Sequence, residues 1–309
     1  MSECLSVLDN MPDLSSEYIG GLFPVGKLSA LVGDGGVGKS WSLVGSSLSV
    51  TSNKEFLPSS NFEYPISNDY KTLICETEGR VASYHKRIKL LGGDTSKYYT
   101  PKSISEIPIF QNSDDRVCVT NFLSQNTDTR FMIVDSLSAF NLVDENSCEV
   151  LQCLSWLVEV AVRYQIAVVF SQLVNKKELD NNRLAKKNIR GFNGIPQMAE
   201  VIWAIDESPY NVKVKRLYQI KNNAEEQITE DFYYKLEQGS ITWLEKEEGL
   251  ASFQAKKTNT INKLEQRFQI FEANKGLKTG EIASLLLEHE PESNLNSLRQ
   301  WVSNKKNGR

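Results

Sequence analysis

The sequence predicts an α/β fold with a mostly parallel sheet, a late antiparallel meander and a small all-α module at the C-terminal end. Three observations carry this. From residue 27 to about 205, short apolar runs alternate with longer stretches of helical periodicity. Shorter segments separated by Asn- and Gly-bearing turns then run to residue 246. From Ile261 onward, apolar residues recur at helical spacing.

Taken in order, the first run is KLSALVG (27–33), and the helical segment WSLVGSSLSV (41–50) comes shortly after it. TLIC (72–75), FMIVDS (131–136), IAVVFSQ (166–172) and EVIWAID (200–206) are similarly compact and rich in Val, Ile and Leu. Such runs suit strands buried on both faces of a parallel sheet. Between the third and fourth of these five runs, EVLQCLSWLVEVAVRY places Val150, Leu151, Leu154, Leu157, Val158 and Ala161 on one helical stripe. VKVKRLYQIKNN, ITEDFYYKLEQ and GSITWLEK follow as the meander. ASFQAKKTNT (251–260) is polar and weakly patterned, and reads as a linker. Three stripes follow: Ile261, Leu264, Phe268 and Phe271; Ile282, Leu285 and Leu286; and Leu295, Leu298, Trp301 and Val302. The expected organisation is an N-terminal arm (1–17), a core (18–250), a linker (251–260) and a small helical domain (261–309), either helix-turn-helix or winged-helix-like.

Composition bounds the function. With 309 residues, 40% hydrophobic and 24% charged, the chain is neither wholly disordered, collagen-like nor a disulfide-stapled miniprotein. Its five cysteines form no C-x-x-C pair, which points to free thiols in a reducing compartment. Two histidines leave little for a His-ligated metal or a histidine triad. The N-terminus lacks the layout of a signal peptide, and no apolar stretch approaches the ~18 residues of a membrane span, so the expected location is cytoplasmic. The formal charge of −4 hides an asymmetry: residues 254–309 carry +4 and the rest −8.

The chemistry starts at GDGGVGKS (33–40), which satisfies G-x-x-x-x-G-K-[ST] between an apolar strand and a helix. Gly33, Asp34, Gly35, Gly36, Val37, Gly38, Lys39, Ser40 and Trp41 are the expected nucleotide-binding residues. Glycines let backbone N–H groups close around phosphate oxygens at a helix N-terminus. Lys39 then reaches the β- and γ-phosphates of ATP, and Ser40 ligates Mg²⁺. Asp135, ending an apolar strand ~100 residues later, is the expected second holder of the Mg²⁺ shell. TLICETEGR ends a strand in two acids, Glu76 and Glu78, either of which can polarise an attacking water.

ICETEG resembles the strand-end I-D-T-E-G of RecA-type recombinases. The resemblance implies Glu78 as catalytic base, with Glu76 as the alternative. Gln172, ending IAVVFSQ, is similar to the polar sensor that RecA-type ATPases place near the γ-phosphate. From Asn175 to Gly191 the chain carries Lys176, Lys177, Arg183, Lys186, Lys187 and Arg190, a net of +4. In RecA-like motors the equivalent loop tracks a nucleic-acid backbone through phosphate contacts; a solvated surface loop is the plain alternative. RGFNGIPQMAEVIWAID, LYQIKNN and ITWLE resemble the late part of RepA-like and DnaB-like hexameric helicase ATPases. There a lysine, often followed two residues later by arginine, enters the neighbouring subunit's site. Lys221 matches that lysine. Asn223 stands in place of the arginine, which leaves the arginine-finger role to another residue such as Arg216, or weakens it.

The resemblance spans residues 18–245 and is nearest to the RepA-like ATPases of the RecA/DnaB superfamily. It implies a homo-oligomeric, hexameric ring driven by ATP and Mg²⁺ along single-stranded DNA. Such a chain would serve as a replicative helicase of a plasmid, phage or other mobile element, alongside an initiator or loader protein. A RecA-type regulatory or loader ATPase is the alternative; a P-loop kinase leaves Glu78, Gln172 and the basic loop without a shared purpose. In the tail, residues 294–305, with Asn296, Arg299, Gln300, Lys305 and Lys306, are the expected recognition helix if the module binds duplex DNA. A protein-docking or ring-capping role is equally open.

Overall fold

The computed structural model describes residues 17–58, 69–76, 80–100, 113–137, 149–175, 183–191, 194–290 and 293–306. The chain divides into two compact units, 1–249 and 250–309.

The first unit opens with a hairpin of β1 (Tyr18–Ile19) and β2 (Phe23–Pro24). A nine-stranded sheet follows, made of β3 (Leu28–Gly33), β4 (Lys71–Glu76), β5 (Tyr98–Tyr99), β6 (Thr129–Asp135), β7 (Ala167–Gln172), β8 (Val201–Glu207), β9 (Val214–Asn222), β10 (Phe232–Glu237) and β11 (Ser240–Leu244). Its spatial order is β11-β10-β9-β8-β3-β7-β6-β4-β5. Every pair from β8 to β5 is parallel, and β8 to β11 is an antiparallel meander. The helices are α1 (Lys39–Thr51), α2 (Val81–Leu90), α3 (Ser113–Gln125), α4 (Glu149–Tyr164) and the single turn α5 (Ile195–Met198). The five apolar runs fall on β3, β4, β6, β7 and β8. By contrast α2, α3, β5 and the hairpin are not marked in the sequence patterns.

The parallel strands are apolar throughout because both faces are covered, and strand periodicity sorts their side chains. On β6, Phe131 and Ile133 join a core with Leu43, Val44 and Val50 of α1; Met132 and Val134 join another with Leu154, Leu157 and Ala161 of α4. Phe131 is fully buried and stacks on Phe23 of β2 at 5.7 Å, tying the hairpin to the sheet. In the meander, β10 turns into β11 through Gln238 and Gly239, both with positive φ (51° and 79°). Those values suit a two-residue type I′ turn, whose twist matches the strands it joins.

The second unit is built from the later part of α6 (Lys246–Ala273) with α7 (Thr279–His289) and α8 (Leu295–Lys306). Residues 251–260, expected as a linker, are helix. No Gly or Pro interrupts 250–273, and a polar stretch without breakers can continue a helix as readily as end it. Phe271, Ile282, Ala283, Leu286, Leu298 and Val302 form the core of this unit. Among the described residues it holds no strand, so the winged alternative is not what they build. No helix among the described residues is long and apolar enough to cross a membrane.

Phe131→Ala removes a ring from between hairpin and sheet. It is expected to lower the free energy of unfolding by about 3–5 kcal/mol, read by urea denaturation.

Candidate nucleotide site

The loop from Gly33 to Gly38 links the end of β3 to the start of α1. Gly36 (φ 75°) and Gly38 (φ 109°) adopt backbone conformations that side chains with a Cβ rarely tolerate. A Cβ at Gly33 would stand 2.8 Å from the Ile205 carbonyl oxygen, so that glycine lets β3 run close beside β8. The Lys39 ammonium is folded onto the loop and donates to the Gly33 and Asp34 carbonyls, each at 2.9 Å. The Asp34 carboxylate is at the exposed outer edge, accepting from the Gly35 N–H at 2.9 Å. Val37 is buried beneath the loop.

A cleft of about 210 Å³ opens above the loop. Gly35, Gly36, Gly38, Lys39, Ser40 and Trp41 line one side. Opposite stand Glu76 and Asp135, which end the neighbouring strands β4 and β6 in direct register. Asp135 receives three hydroxyls: Ser40 Oγ (2.6 Å) and Tyr84 OH (2.5 Å) on one oxygen, and Ser171 Oγ on the other. Burial, and next the Asp135 charge, push the Tyr84 hydroxyl well above its ordinary pKa of 10, so it remains a donor. The paired hydroxyl and carboxylate of Ser40 and Asp135 are hard oxygen ligands of the kind Mg²⁺ takes. The positive-φ glycine loop with Lys39 fits a triphosphate. The residues present therefore suit ATP with Mg²⁺.

Glu76 is 3% exposed and accepts the Arg80 N–H at 2.5 Å. Glu78, expected as base, lies outside the described residues, as do Lys176 and Lys177. Gln172 is buried at the end of β7; its amide N–H donates to the Arg190 carbonyl at 2.8 Å, while its Oε1 has no hydrogen-bond partner among the described residues. That bond ties the last strand residue to the basic loop, whose sides also meet in a bridge between Val174 and Ile189. Lys186, Lys187 and Arg190 are exposed. Arg183 is bound in a bidentate pair with Asp231 (2.8 and 3.1 Å) and lies 4.3 Å from the Tyr218 ring centroid, so it anchors the loop.

The two expected finger residues are engaged within their own chain. Lys221 is 7% exposed, and its ammonium donates to the carbonyls of Pro196 (3.1 Å), Gln197 (3.2 Å) and Ala199 (2.5 Å) at the end of α5. A cation there satisfies the carbonyls that a helix end leaves open. Arg216 pairs with Asp206 at 2.8 Å and lies 4.0 Å from Asp231.

Among the cleft residues that the sequence reading did not single out, beside Ser136, Ser171 and Leu173, are Arg80, Tyr84 and Arg87. Arg80 precedes α2, and Tyr84 and Arg87 lie on it; all three line the cleft. The Arg87 guanidinium lies 5.7 Å from the Trp41 ring and 5.4 Å from that of Tyr84. Their signal was the i, i+4, i+7 spacing directly after a strand-end acid, which gathers them on one helical face.

Together these elements define a P-loop ATPase site on a RecA-like α/β core. A family model, AAA_25 (AAA domain), matches residues 7–178, and the chain belongs to that family. Among solved structures, the chain is similar to a KaiC-like protein from the hyperthermophilic archaeon Pyrococcus horikoshii OT3. The two share 11% identity with a TM-score of 0.53, covering 72% of this chain and 91% of that one, a likeness of fold. No curated protein matches the chain.

Replacing Lys221 with Met strips three carbonyls of their donor. It is expected to cost about 1.5–3 kcal/mol of stability, measured by denaturant unfolding. Lost turnover at unchanged stability would instead mark a trans-acting cation.

Proposed function

We propose that this chain is an ATP-driven translocase that assembles as a homo-oligomeric ring, a hexamer, and unwinds DNA during replication of a plasmid, phage or other mobile element. The observation that carries the reading is the hydrogen bond from Gln172 at the end of β7 to the Arg190 carbonyl, on the same loop as the exposed cations Lys186 and Lys187. A change at the cleft that moves Gln172 moves the Arg190 backbone with it. Lysines on such a loop hold phosphates without reading bases, as a translocase needs.

In this reading the glycine loop and Lys39 hold the triphosphate, and Ser40 with Asp135 hold Mg²⁺, which when bound offsets the charge of the phosphate oxygens. Glu76 is the described carboxylate beside Asp135 and is assigned as the group that takes a proton from the attacking water. Glu78 is its alternative. Arg80 and Arg87 add positive charge to the same cleft.

A regulatory or loader ATPase that binds DNA or a partner without unwinding is the second reading. It draws on Lys221 and Arg216 having partners inside their own chain, so that hydrolysis need not wait for a neighbour's cation. Forked-DNA unwinding with ATP and Mg²⁺ separates the two: strand separation by a ring supports the translocase, and DNA-stimulated hydrolysis without it supports the second reading.

Lys39→Ala is expected to abolish ATP hydrolysis. Glu76→Gln is expected to keep nucleotide binding, measured by a fluorescent ATP analogue, while turnover falls about 10²–10⁴-fold. The same loss in Glu78→Gln, with Glu76→Gln active, would reassign the base.

Replacing both Lys186 and Lys187 with Ala is expected to weaken binding of labelled single-stranded DNA. The slope of log affinity against log salt should fall by about 1.4, with hydrolysis in the absence of DNA nearly unchanged.

A further inference from the structure

The second unit contains a surface that the ATPase core does not explain. On α8, Leu298 and Val302 are buried, and Leu295 and Trp301 pack against the same core. The opposite arc carries Asn296, Ser297, Arg299, Gln300 and Asn304, all exposed, with Ser303 half-buried among them. Helical spacing puts these six within less than half of the circumference. The arc holds no apolar residue, and α8 as a whole holds no carboxylate. Arg299 has no ion-pair partner among the described residues.

The charged side chains exposed on the neighbouring α7 are acidic, Glu281 and Glu288; on α6, exposed Glu272 pairs with Lys275 at 2.5 Å. Lys306, donating to the Leu277 carbonyl at 2.5 Å, borders the arc, and Lys305 lies on the Leu298 side beside the Phe268 ring at 4.9 Å; the two leave α8 its positive balance. The Asn294 side chain accepts the Asn296 N–H at 2.9 Å where α8 begins.

We propose that this arc of α8 is a binding surface for duplex DNA, separate from the basic loop of the core, with Arg299 and Gln300 as its principal contacts. Asn and Gln amides and Arg guanidinium are the groups whose donor and acceptor geometry matches base edges in the major groove. A short helix held against its predecessor by one apolar stripe can present such groups there. The absence of any aromatic or aliphatic anchor on the arc argues against a protein partner, whose interface would centre on one. The inference does not depend on the translocase reading.

Anisotropy of a labelled 30-base-pair duplex, titrated with the full chain at low salt without nucleotide, tests it. The unaltered protein is expected to bind. Arg299→Ala should weaken binding about tenfold or more, and Arg299→Glu or Gln300→Glu should abolish it, with ATP hydrolysis and single-stranded DNA binding retained. A thermal melt monitors folding of each variant, and the two separate glutamate variants keep the test decisive if one misfolds. Three results overturn the proposal: no duplex binding by the unaltered protein, undiminished binding by folded glutamate variants, or duplex binding lost only when Lys186 and Lys187 are replaced. The first would leave the arc to a protein partner. Failure to unwind forked DNA, by contrast, would count against the translocase alone.

Discussion

Asp135 is gripped by hydroxyls from three different elements, and the site takes its shape from that grip. Ser40 comes from the first turn of α1, Tyr84 from α2 and Ser171 from β7. The arrangement depends on register. Val134 lies opposite Phe170 in the parallel pair of β6 and β7, so the next residues, Asp135 and Ser171, emerge together at the strand ends. A slip of one residue in β6 would turn Asp135 to the face of the sheet away from Ser171. Tyr84 carries the same constraint to α2 and so positions Arg80 and Arg87 around the cleft. In a partly dehydrated pocket each of these bonds is stronger than it would be in water.

A second polar cluster fixes the basic loop. Asp206 binds both Arg216 and the Tyr218 hydroxyl, and that same hydroxyl accepts the Leu184 N–H at 2.6 Å. Arg183 and Arg216 both lie within about 5 Å of the Tyr218 ring centroid. One end of the loop is thus pinned to β9 and β10 by charge and ring contacts. The other is held to β7 by Gln172. Lys186 and Lys187 extend from a frame fixed on both sides, which is how a loop presents cations without being slack.

Much of this was legible in the chain because the relevant signals are local. Apolar runs report strands covered on both faces, and the glycine loop has a spacing that only a phosphate cradle requires. Residues whose role depends on distant partners were harder to read. Lys221 has the position expected of a trans-acting lysine, yet nothing nearby in sequence says that α5 ends beside its ammonium. Arg183 looks like one cation among six until Asp231 is brought to it. Tyr84 sits in a modestly patterned helix, and its importance appears only when β4 and β6 align. The stretch 251–260 differs from the expected linker for another reason: it holds no Gly or Pro, and a polar stretch without breakers continues a helix as readily as it ends one.

The sheet order carries a consequence for synthesis. β3, which delivers the glycine loop, is flanked by β7 and β8, so its neighbours are translated long after it. At typical elongation rates of roughly 5–20 residues per second, the loop leaves the ribosome tens of seconds to roughly ten seconds before β8 is complete. Until β7 is made, its apolar strand has no native partner in the sheet and lies open to chaperones or to premature pairing. Asp135 is likewise available before Ser171. An ATPase laid out this way gains its nucleotide pocket only once β7 has been translated, and a shorter nascent fragment carries the motif without the enzyme.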